Sequence, residues 1–196
     1  MIRWYRAALA PILLWCSTSA YAADVRTIDC VGKLINQTTI NSVSDDFRAS
    51  IERAQSGLPE LPAQRGSASD PAVRAEVDKA AERCGAIHGW TPAAKIAASD
   101  YAFEKLALPI FEASVRDDGI DPGRVARLSK GLNSSSSWEE ERLPEAEKSR
   151  RVVAAIILRL LREGVSLQTP QQTRDVSALA MWRVHLDRTQ TAFIAA

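Results

Sequence analysis

The chain has 196 residues, 46% of them apolar and 25% charged, with a formal net charge of +1. That length suits one domain, and the apolar fraction excludes a disordered chain. The balanced charge lacks the basic excess of nucleic-acid-binding domains, so no nucleic-acid partner is expected.

Residues 1–22, MIRWYRAALAPILLWCSTSAYA, carry the three parts of a secretory signal peptide. Arg3 and Arg6 form a positive start, Ala7 to Cys16 an apolar run, and Ala20-Tyr21-Ala22 puts small residues at positions −3 and −1 of a cleavage point. A membrane anchor is the alternative, but the run is about ten residues against the roughly 20 that span a bilayer. Cys16 also raises the question of lipidation, and the bulky Trp15 directly before it argues against that site. The mature chain is therefore expected to begin at Ala23, to be exported to the periplasm of a Gram-negative cell or secreted beyond it, and to hold no transmembrane segment. Loss of Arg3 and Arg6 leaves 23 basic residues against 24 acidic ones.

Cys30 and Cys84 are the two cysteines of the mature chain. An oxidising compartment makes a disulfide between them the default. A redox pair would sit as Cys-x-x-Cys, and a zinc site would need ligands beyond His88 and His185, so no metal or cofactor is expected.

Residues 23–196 are expected to form one all-α domain, a disulfide-stapled bundle of six to eight helices. Cys30 lies in a short apolar stretch with Ile28, Val31, Leu34 and Ile35, and the disulfide would pin this first helix to the third. Ser44 before Asp45 and Asp46 reads as the cap of a second helix carrying Phe47, Ile51 and Ala54. Residues 57–69, rich in Gly, Pro and Ser, read as an exposed loop.

Asp70-Pro71, Thr91-Pro92, Asp121-Pro122 and Thr169-Pro170 each place a capping side chain before a proline, which loses no needed N–H at the first helical position. Gly89, Gly119, Gly131 and Gly164 sit where helices should stop. Val73, Val77, Ala80, Cys84 and Ile87 recur at steps of four and three, one face of a helix over 71–88. Over 92–118, Ile96, Phe103, Leu106, Ala107, Ile110 and Phe111 make an apolar arc wide enough for a central helix, with Pro109 kinking it rather than ending it.

A short helix over 122–131 is followed by a Ser-rich linker near 133–137, and Ser137 with Glu140 fits a capping box. Val152, Val153, Ile156, Ile157, Leu160 and Leu161 give 145–163 a broad apolar face, which places that helix at the centre beside 92–118. The last helix, from Pro170, lines up Leu179, Trp182, Leu186 and Phe193. Strand signals are nearly missing.

Few residues could carry chemistry. Asp100 and Glu104, four apart, fall within the apolar arc of 92–118. Two carboxylates in apolar surroundings raise one another's pKa, the way a general acid is made, and a carboxylate pair is what glycosidases use. The competing reading pairs them with arginines such as Arg159 or Arg183, or turns them to solvent. His88-Gly89-Trp90 closes a helix, and His88 and Trp90 are the binding candidates: Trp90 is either a ligand-stacking surface or an ordinary packing residue. His185 falls off the apolar stripe. Lys148, Arg150 and Arg151, offset by Glu145 and Glu147, read as a solvated face.

No nucleophile elbow, zinc-protease or phosphate-loop motif is present. The chain is therefore expected to be a non-enzymatic, exported interaction module with a protein partner in the cell envelope. The alternative is a small hydrolase of envelope polymers, with Asp100 and Glu104 as its acid and base.

Overall fold

The computed structural model describes residues 23–55, 71–130 and 145–196. The expected signal peptide, the 57–69 loop, the 133–137 linker, and the roles assigned to Asp70, Gly131 and Ser137 lie outside the described residues. Among those described, a 3-10 turn (Val25–Thr27) leads into seven α-helices and no strands: α1 (Cys30–Leu34), α2 (Gln37–Gln55), α3 (Pro71–His88), α4 (Pro92–Asp117), α5 (Pro122–Ser129), α6 (Glu145–Arg162) and α7 (Pro170–Ala195). The all-α reading holds. No helix among these residues is long and apolar enough to cross a membrane.

The proline caps behave as their residue order predicts. Thr91 Oγ1 accepts from Ala94 N at 3.1 Å, and Asp121 Oδ1 from Gly123 N at 2.8 Å. Thr169 and Gln172 exchange the two bonds of a capping box. At the other ends, Gly89 (φ 69°) and Gly119 (φ 80°) take the left-handed conformation that side chains resist. Each lets the next amide reach back five residues, Trp90 N to Gly85 O at 3.0 Å and Ile120 N to Val115 O at 3.1 Å. The residue after each glycine is thereby turned inward, and Trp90 and Ile120 are both buried. Gly164 closes α6 in the same way.

α4 and α7, each 26 residues and so about 39 Å long, run antiparallel as the core pair. Their ends are tied reciprocally: Thr91 Oγ1 donates to Ala196 O at 3.1 Å, and Gln172 Nε2 to Asp118 O at 3.0 Å. Ala94, Ala97, Ala98, Ala102 and Ala107 on α4 are buried, and side chains this small let neighbouring helices approach from several sides. At one end of the pair, Val31, Val77, Cys84, Trp90 and Phe193 pack together. At the other, Phe111, Val115, Val125, Ile156, Leu160, Val176 and Leu179 do so. Between them, Phe47 of α2 lies 5.5 Å from Phe103 and 5.1 Å from Trp182, while Trp182 stacks on Phe111 at 5.3 Å. Cys30 and Cys84 are bonded, with sulfurs 2.05 Å apart, so α1 is pinned to α3.

Three sequence expectations need correction. α2 begins at Gln37, seven residues before the expected cap, because Asn36 Oδ1 accepts from Thr39 N at 2.8 Å and supplies the cap itself. Ser44 is then interior, its hydroxyl donating to Ile40 O at 3.0 Å. Ile87 and Ile96 are 68% and 62% exposed, since each stands on the outer edge of its apolar arc, where no neighbouring helix lies. α6 is not central. It packs chiefly against α5 and α7 and buries Ile156 and Leu160, while Leu158 and Leu161 are 54% and 49% exposed. As expected, Pro109 does not end α4, which continues to Asp117 with the proline on its exposed side.

The disulfide closes a loop between residues 54 apart in sequence. Replacing both cysteines with serine is expected to lower the free energy of unfolding by about 4 kcal/mol in a urea titration, with the helical circular dichroism of the native state unchanged. A loss under about 1 kcal/mol would mean that the reduced unfolded chain is already restrained.

Candidate functional site

The two acids singled out in α4 part company in the fold. Asp100 is about one-third exposed and pairs with Arg74 of α3 at 2.7 Å, and the same guanidinium reaches Asp78 at 3.0 Å. Glu104, one turn further on, is 8% exposed and faces α7, where Thr189 Oγ1 lies 2.9 Å from its carboxylate. The arginines expected as partners are engaged elsewhere: Arg183 with Glu112, and Arg159 with Leu128 O at 3.0 Å. Arg74 is the partner that pattern reading misses, because α3 and α4 cross where nothing in the spacing of either helix indicates.

Burial pushes the Glu104 carboxyl up to about 7, with Asp100 adding to the rise and the Thr189 hydroxyl opposing it. The Thr189 hydroxyl also lies 3.0 Å from Leu186 O. When Glu104 is ionised, that hydroxyl donates to it. When Glu104 is protonated, the same oxygen accepts its hydrogen and turns its own to the helix carbonyl. The arrangement is satisfied in both states, at the interface of the two longest helices.

Two shallow grooves open elsewhere, and neither is lined by Asp100 or Glu104. The first, about 290 Å³, lies over the disulfide between Arg26, Thr27, Lys33, Leu34 and His88. His88 is exposed at its rim, its ring 5.6 Å from that of Trp90. Trp90 is buried beneath, its indole N–H donating to Thr27 Oγ1 at 3.1 Å and its ring edge-on to Phe193 at 5.0 Å. His185 is exposed on α7.

The second groove, about 410 Å³, lies where α4, α5 and the α6–α7 connection meet, beside Asp118 and Gln172. Asp118 Oδ2 is buried without a hydrogen-bond partner. Burial, then the neighbouring Asp175, raises the Asp118 pKa. Asp175 is itself buried and accepts from Ser114 Oγ at 2.7 Å and from Gln171 Nε2 at 2.9 Å. A proton on Asp118 gives its buried oxygen the donor role that the Asp175 carboxylate can accept. This pair escapes the sequence reading, although Asp175 stands four residues before Leu179 on the apolar stripe of α7 and could have been found there. No group of three or more metal-ligating side chains is gathered among the described residues.

Both acids make stability fall as pH rises, because the folded chain keeps a proton that the unfolded chain has released. For Glu104 the unfolded group titrates near 4.5 and the folded one near 7. The contribution is complete below the lower value, is lost between the two, and amounts to about 3 kcal/mol. Glu104→Gln should abolish that slope in urea titrations from pH 4 to 8; an unchanged slope would show that Glu104 is solvated and titrates normally. Asp118→Asn, which replaces the shared proton with a permanent N–H donor, should be more stable than the parent at neutral pH and equal to it in acid. No family model, no curated protein and no solved structure matches this chain.

Proposed function

We propose that the protein is an exported helical module that acts by presenting a surface to another protein in the cell envelope and performs no catalysis itself. The observation that carries this reading is the outward side of α6. There Leu158 and Leu161 stand half exposed on a helix whose inward side, Ile156 and Leu160, is fully buried. Single exposed apolar residues are ordinary, but two leucines one turn apart, on the side of the helix away from its packed face, mark a strip that lacks its cover. The signal-peptide pattern of residues 1–22 and the Cys30–Cys84 bond support export to an oxidising compartment, the periplasm first among them.

Hydrolysis of envelope polymers is the weaker reading. A glycosidase pair must flank a bound sugar, with both carboxyls opening on one cleft. Asp100 is engaged by Arg74, Glu104 faces Thr189 under α7, and neither lines either of the two grooves described above.

A photo-reactive side chain placed in turn at Leu34, Ile87, Ile96 and Leu158, with Glu76 as an exposed polar control, tests the proposal in cells that export the chain. A discrete adduct with one envelope protein is expected from at least one apolar site and none from Glu76. Absence of adducts from every site would overturn the proposal, and Glu104-dependent hydrolysis of purified envelope glycan by the mature chain would then favour the enzyme.

A further inference from the structure

Drawn at 100° per residue, Ala154, Ile157, Leu158 and Leu161 converge on the side of α6 opposite Ile156 and Leu160. Ala154 is exposed with the two leucines, and Ile157 is half-buried at the edge of the strip. Ala154, Leu158 and Leu161 follow one another at steps of four and three, the spacing of a seam that receives a second helix. α6 carries five basic residues and two acidic ones. Arg150 flanks the strip on one side and Arg151 and Arg162 on the other, all three exposed. Glu147 approaches Arg150 and Arg151 at 3.8 and 3.5 Å, but these side chains are 81% and 56% exposed, and such pairs neutralise little.

We infer that the outward face of α6 docks an amphipathic helix of a partner protein, with leucine-type side chains on its seam and carboxylates along both flanks. This rests on the interaction-module reading and names the partner's chemistry. Charge complementarity selects that occupant over a second copy of the chain. Two α6 helices set antiparallel bring Arg150 and Arg151 against Arg162, and set parallel they bring each arginine against itself. A membrane surface is disfavoured because insertion needs a wide apolar face, and the widest face of α6 is already spent on α5 and α7.

Two designed 21-residue helical peptides, both with leucine on the seam and one with glutamate and the other with lysine on the flanks, provide the probe. By fluorescence anisotropy the glutamate peptide should bind the mature chain, less tightly as salt is raised, and the lysine peptide should not. Leu158→Asp with Leu161→Asp should weaken binding by at least about tenfold, and so should Arg151→Glu with Arg162→Glu. These positions are exposed, so an unchanged circular dichroism spectrum and urea midpoint verify that the variants fold. Equal binding of the two peptides, no binding of either, or indifference to the leucine variant would overturn the proposal. So would a dimer in sedimentation that the leucine variant dissolves, or binding to phosphatidylglycerol vesicles in place of the peptide. If photo-adducts from Leu34, Ile87 or Ile96 persist in the leucine variant, this face is wrong and the interaction-module reading stands; if no adduct forms at any site, both fall.

Discussion

α4 and α7 lie side by side through their full lengths, and neither could hide its apolar residues without the other. Phe193 of α7 reaches the aromatic and alanine packing at the start of α4, and Val176 and Leu179 meet Phe111 and Val115 near its end. Hydrogen bonds at both ends hold the register, Thr91 to Ala196 and Gln172 to Asp118. A slip by one residue would turn the buried stripe of α7 by about 100° and expose Phe193 and Leu179 together. The positions of α2, α3 and α5 follow from this pair, because α2 and α3 pack against α4 and α5 chiefly against α7.

The same contact explains why Glu104 is perturbed. It sits on the side of α4 that α7 covers, and the burial there outweighs the one hydroxyl that Thr189 offers its charge. Asp118 and Asp175 meet at the other end of the same interface. Carboxyls that share this long contact thus report on how tightly the two helices close. An elevated pKa is in this setting the mark of an interface, and catalysis would ask in addition for a cleft.

Much of the architecture was legible because helix ends are local. A threonine or aspartate before proline, and a glycine at a helix end, act within a few residues, and the Thr91, Asp121 and Thr169 caps and the Gly89 and Gly119 stops are where such rules place them. The cysteine pairing followed from there being two thiols to join. What escaped was long-range. The breadth of an apolar arc tells how much surface a helix could bury, and nothing about how many neighbours arrive to bury it. For α4 the neighbours arrive, and for α6 they arrive on one side alone. Arg74, Thr189 and Asp118 find their partners across helix crossings that no periodicity encodes. The candidate acids were visible as residues, whereas their separate surroundings, Asp100 beside a guanidinium and Glu104 under a hydroxyl, were not.

The covalent staple sits at one end of the molecule. It joins α1 to α3 beside the packing that holds Trp90 and Phe193, whereas α5 and α6, at the far end, are held by side-chain contacts and hydrogen bonds alone. Thermal openings are therefore unequal along the long axis: amides of α5 and α6 exchange with solvent through local excursions, and those of α3 wait for rarer, larger ones. The covalently clasped end and the end that carries the uncovered leucines are thus opposite ends of the bundle.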